Sequence, residues 1–171
     1  LAAVPEAFIV LWATAAGLPI AMVPLAWAAA SLVKMLVATP AGRLSDRLGT
    51  RVVLVWGWLL RVSLLTLLAL APAAGAAVWI LFAAYAGSLA ATEAAERSMV
   101  GDLAPSALRG TIFGVYHLAT GLVALPGAVL FGLLWQAAGP AVAFLAAAAV
   151  TAAAALLMMR LAGGATPRAP A

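Results

Sequence analysis

Glu6, Lys34, Arg61, Glu93 and His117 each stand inside or beside a long apolar run. A charge at the centre of a bilayer costs at least ~2.5–3.5 kcal/mol on insertion scales, so in a membrane-spanning helix it has to face protein or a watery cavity. Their neighbours are polar at helical spacing. Trp27, Ser31 and Lys34 share one helical face, Tyr85, Ser88, Thr92 and Glu96 make a second stripe, and Tyr116, His117 and Thr120 cluster beside Gly121. Three such stripes point to a solute path or binding pocket between helices. Taken singly, each Ser or Thr serves equally as hydrogen-bond glue between helices.

Each buried charge has a structural reading beside the functional one. Lys34 needs a partner, and Glu6 on the adjacent run is the expected one. Arg61 is either an anchor or a functional charge. Glu93 and Arg97 lie four apart in the order that favours a helix ion pair, which is the structural expectation for them. His117 suits either a proton relay or a packing role.

Other chemistries are excluded. The 171 residues contain no cysteine and one histidine, so thiol catalysis, disulfides and thiolate metal sites are absent. No H-E-x-x-H or G-x-S-x-G element occurs, and no acidic pair has metal-ligand spacing. The expectation is no enzyme, no metal and no cofactor.

The elements that hold these residues follow from composition. The chain is 67% hydrophobic and 8% charged, with a mean hydropathy of +1.18. Soluble domains carry about a quarter charged residues, so this chain expects a lipid bilayer as its solvent. With ~20 residues per membrane-crossing helix, the apolar runs read as spans at 1–16, 20–41, 52–71, 76–95, 111–135 and 141–161, followed by a disordered tail at 162–171. Barrel strands need only ~10 residues and alternate in polarity, so helices are expected. The first run is too short to cross alone, and the chain opens without Met inside it, as a piece of a longer protein would. Counted at ~1.5 Å per residue from the nearer basic flank, Lys34 lies about 12 Å deep and Arg61 about 14 Å.

Arginines set the expected orientation. Arg43, Arg47 and Arg51 follow the second span, Arg97 and Arg109 the fourth, and Arg160 and Arg168 the sixth, whereas the opposite connections carry no charge. Basic loops stay in the cytoplasm, which places the C-terminus there. These basic residues are span flanks, so nucleic-acid binding is not expected. Eight of the nine basic residues are Arg, a bias of GC-rich bacterial genomes, and the expected location is a bacterial inner membrane. Pro24, Pro40 and Pro126, with Gly110, Gly114, Gly121, Gly127 and Gly132, allow bent and closely packed helices.

Two segments echo one another. Gly42, Leu44, Asp46 and Gly49 recur as Gly132, Leu134, Gln136 and Gly139 at the same offsets, each after the second span of a triplet. That is the pattern of an inverted three-plus-three repeat.

The run from Pro40 to Arg51 resembles the G-x-L-x-D-R-x-G-R-R loop of the major facilitator superfamily, with Thr50-Arg51 in place of its double basic ending. Asp102, Pro105, Arg109 and Gly110 resemble the acidic-x-x-Pro…Arg-Gly element that follows a fourth or tenth helix in that family. The resemblance implies an all-α polytopic membrane protein, the C-terminal six-helix half of a twelve-helix fold, with a missing N-terminal half as partner. It further implies that Gly42, Arg43, Asp46, Arg47, Gly49, Glu96, Arg97, Asp102 and Arg109 belong to an intracellular gate. A small solute would bind near mid-membrane, with Glu6, Glu93 or His117 titrating if a proton is coupled. The alternative is a non-transporting scaffold or degenerate half. The solute's charge stays open: Lys34 and Arg61 suit an anion, whereas Glu6 and the aromatics suit a cation or a lipophilic drug.

Overall fold

A computed structural model of the chain describes residues 4–70 and 74–163. Among these the chain is six α-helices with no strand: α1 (Glu6–Ala15), α2 (Val23–Leu48), α3 (Thr50–Leu70), α4 (Ala76–Leu103), α5 (Arg109–Ala138) and α6 (Pro140–Gly163). Single 3-10 turns, Ile20–Met22 and Ser106–Leu108, lead into α2 and α5. Five of the helical segments are long and apolar enough to cross a membrane; α1, with 10 residues, is not.

Prolines and glycines set the boundaries. Pro24 lies in the first turn of α2 and Pro140 starts α6, where a missing N–H costs nothing because the first turn has no partner for it. Gly49 and Gly139 each end a helix at nearly the same left-handed angle, φ 89° and 87°. Their amides close on Ser45 O at 2.9 Å and Trp135 O at 3.0 Å. A Cβ is strained in that conformation. Each is the second glycine of its repeat segment, and each alone separates its helix from the next.

The helices are longer than the apolar runs. Residues 42–48, expected as a connecting loop, are the last turns of α2, because nothing in Gly-Arg-Leu-Ser-Asp-Arg-Leu breaks a helix before Gly49. Likewise Glu96, Arg97 and Asp102 lie on α4, which runs on to Leu103. Helix α6 takes in Ala162 and Gly163, where a tail was expected. The expected disorder of 164–171, with Arg168, falls outside the described residues, as do 1–3 of the first run and the turn at Pro72-Ala73.

α4 is the central helix. It packs on α2, α3 and α1, α3 packs on α6, and α5 leans chiefly on α6, touching α4 only sparsely. Small residues permit this: Ala26 and Ala30 of α2 are buried, and Gly87 of α4 receives the Val33 and Val37 side chains of α2. Two apolar clusters result. One gathers Ile9, Trp12, Leu65, Leu68, Phe82, Leu89, Phe131 and Phe144. The other joins Val53, Leu54 and Ala95. Along α3 and α4 the gap between them is where Arg61, Ser88 and Thr92 meet. The glycine pair Gly110 and Gly114, together with Gly121, contacts nothing across from it in this chain, so the close helix contact expected there is not made among the described residues.

Candidate functional site

Arg61 lies 11 residues into the 21-residue α3, the middle of a helix about 30 Å long. It is 3% exposed. Its Nη2 donates to Ser88 O at 3.2 Å and to Thr92 Oγ1, both on α4. Thr92 Oγ1 in turn donates to Ser88 O and Leu89 O at 3.1 Å, and Ser88 Oγ donates to Tyr85 O at 2.7 Å. Tyr85 reaches further along α4 and donates to Val4 O at 2.9 Å, tying the chain ahead of α1 to the central helix.

Beside Arg61 a cavity of about 360 Å³ opens between α3, α4 and α5. α3 contributes Trp58 and Arg61, α4 contributes Leu89, Thr92, Glu93, Glu96 and Arg97, and α5 contributes Tyr116, His117, Thr120, Ala124 and Gly127. Tyr116 Oη donates to Glu96 Oε2 at 3.1 Å across the α4–α5 gap. Its ring stands edge-on to His117 at 5.2 Å, and the Thr120 hydroxyl returns to Tyr116 O at 2.9 Å. Arg97 meets Glu93 at 3.4 Å on the exposed side of α4.

The structure therefore brings Thr92 and Glu96 of the α4 stripe together with the α5 stripe, whereas Tyr85 and Ser88 are buried and do not line the cavity. It does not bring the α2 stripe there. Trp27 and Ser31 are exposed on α2, and Lys34 forms an ion pair with Glu6 of α1; none of the four lines the cavity. The third wall comes from α3, through Arg61 and Trp58. Arg61 was visible in the sequence as the one charge on its span. For Trp58 no sequence signal existed.

The expected gate residues are spread along one end of the helices. Gly49 and Asp102 border a second cleft of about 380 Å³ with Thr50, Arg51, Val52 and Met99. Arg43, Asp46, Arg47 and Arg109 are exposed and make no ion pair among the described residues. Glu96 belongs to the cavity, held by Tyr116. Among the described residues no group of three His, Asp or Glu side chains could hold a metal ion.

Membrane-length apolar helices, with a polar cavity between three of them, define an all-α polytopic membrane protein. The chain belongs to the major facilitator superfamily, whose family model matches residues 3–171. Neither a curated protein nor a solved structure matches the chain.

Proposed function

We propose that this chain is the C-terminal half of a secondary active transporter that carries a small solute across a bacterial inner membrane by alternating access. The carrying observation is the cavity of about 360 Å³ that runs from Arg61, in the middle of α3, to Glu96 and His117 near the basic flank of α4 and α5. A buried cation at mid-span is costly unless protein or a polar cavity faces it.

Bare helix faces support a partner half. Only 6% of the apolar stretch containing α5 and 11% of that containing α2 are buried within the chain, against 50% for α4. The unused glycines Gly110, Gly114 and Gly121 lie on α5, where they would let a helix of the N-terminal half approach closely. Arg43, Asp46, Arg47 and Asp102 lie in the last turns of α2 and α4. As an intracellular gate they would close against the partner half and release it, giving two states of similar energy. Glu6, Glu93 and His117 are the groups here that would carry a coupling proton. The C-terminus lies in the cytoplasm on this reading.

The test is uptake into proteoliposomes. The full-length protein moves solute, and the isolated six-helix chain, inserted equally well, does not. Solute movement by neither would refute transport in favour of a scaffold. Movement by the isolated chain would refute the half reading.

A further inference from the structure

Two cations lie within the apolar spans, and one of them is neutralised: Lys34 pairs with Glu6. Arg61, the more deeply buried of the two, hydrogen-bonds only to neutral oxygens. Both of its protein hydrogen bonds leave from Nη2, so Nε and Nη1 donate to no acceptor among the described residues. Nε is buried and unpartnered, and so is Trp58 Nε1, one helical turn earlier on the same wall of the cavity. A buried N–H without an acceptor costs about 1–3 kcal/mol, and more when the group is charged. Two such donors lie beside one cavity, one of them on a buried cation to which the cavity's carboxylates, Glu93 and Glu96, make no hydrogen bond, and an oxyanion of the ligand would satisfy them.

We infer that the cavity binds the carboxylate of its solute on the free Nε–Nη1 edge of Arg61, with Trp58 Nε1 as a further donor. That edge is planar and matches the two oxygens of a carboxylate. Both N–H groups are buried behind the cavity wall, so binding on this site requires the Arg61 and Trp58 side chains to turn toward the ligand. Glu93 and Glu96 share the chamber and repel a dianion, which restricts the solute to a single negative charge. Leu89, Ala124 and the Trp58 ring offer its body an apolar surface. The solute class is thus a small monocarboxylate with an apolar body. This inference rests on the transporter reading only for where the solute goes, not for its binding.

The experiment titrates the full-length protein in detergent with acetate, hexanoate and benzoate, with their amides and with inorganic phosphate, and reads the melting temperature, which a ligand of the folded state raises. At least one carboxylate raises it saturably, its amide does not, and phosphate does not. Trp58→Phe keeps an aromatic ring, though a smaller one, and deletes the N–H; it weakens the apparent affinity roughly tenfold or more, as expected for a hydrogen bond to a charged group. Arg61→Gln abolishes the response, and if that variant does not fold, Trp58→Phe carries the test. No response to any carboxylate, an equal response to the amide, a stronger response to phosphate, or an unchanged affinity in Trp58→Phe would each overturn the site. Carboxylate binding without uptake into proteoliposomes overturns the transport reading and leaves the site standing. Uptake of another solute with no carboxylate binding does the reverse.

Discussion

Gly57 on α3 lies so close to the methyl group of Thr92 on α4 that a Cβ at position 57 would overlap it. One turn further on, Arg61 reaches the hydroxyl of the same threonine. The close crossing and the polar link are therefore one device: the missing side chain lets the helices approach, and the approach delivers the guanidinium to Thr92 Oγ1 and Ser88 O. Gly57→Ala lowers stability by about 1–3 kcal/mol through overpacking. The double variant with Thr92→Ser recovers most of that loss, because serine removes the obstructing methyl and keeps the hydroxyl. Reversible unfolding in mixed micelles measures both, and no recovery in the double variant would place the strain elsewhere.

The pair Lys34–Glu6 is the side-chain ion pair between α1 and the α2 stripe, with the two side chains 35% and 27% exposed. That burial lies between a surface pair, worth about 0–1 kcal/mol, and a buried one, whose breaking costs about 3–5 kcal/mol. Lys34→Met and Glu6→Gln should each cost about 1–3 kcal/mol, and the double variant should show a coupling of about 1 kcal/mol or more. Transport assayed on the same variants separates roles: a stability loss with normal uptake leaves the pair as a clamp on α1, whereas lost uptake in a folded variant makes it part of the transport cycle.

Much of the fold was legible because bilayer physics leaves few choices. Uninterrupted apolar runs of about 20 residues have to be helices, and Gly49 and Gly139 mark their ends by the same backbone conformation. Helix length was less legible. Hydropathy stops where charge begins, but α2 and α4 continue through Arg43–Leu48 and Glu96–Leu103. Arg and Glu are good helix formers, no proline intervenes, and the single Gly101 in α4 does not end the helix before Pro105. The site was legible in part: spacing along α4 and α5 named residues that share one wall each. Which stripe faces which is decided by tertiary packing. That packing turned the α2 stripe away and admitted Arg61 and Trp58, through a close contact at Gly57 that no periodicity announces.

Asp46 is exposed near the end of α2 and makes no ion pair among the described residues. Asp46→Asn keeps its shape and removes its charge, so stability should change by no more than about 0.5 kcal/mol. If Asp46 closes a gate against a partner half, uptake by the full-length protein falls several-fold while membrane insertion is unchanged. Normal uptake by a well-inserted variant would leave Asp46 without a gating role.

Tyr116 and Glu96 give the last test, of how α5 is held. α5 buries only Phe131, near its far end, where Phe8, Trp135 and Phe144 pack around it with ring centres 4.7–6.0 Å apart. At the Tyr116 end α4 and α5 touch sparsely, and the 3.1 Å bond from Tyr116 Oη to Glu96 is the side-chain hydrogen bond that joins them among the described residues. Tyr116→Phe removes that bond while keeping the ring. The cavity side of α5 then loses its tether, and α5 pivots about the aromatic cluster. The chain has no cysteine of its own, so spin labels at Ala94→Cys and Val115→Cys report the α4–α5 separation directly. The distance distribution should broaden and shift outward in Tyr116→Phe. An unchanged distribution would mean that α6 alone fixes α5, and that the width of the cavity does not depend on the Tyr116–Glu96 bond.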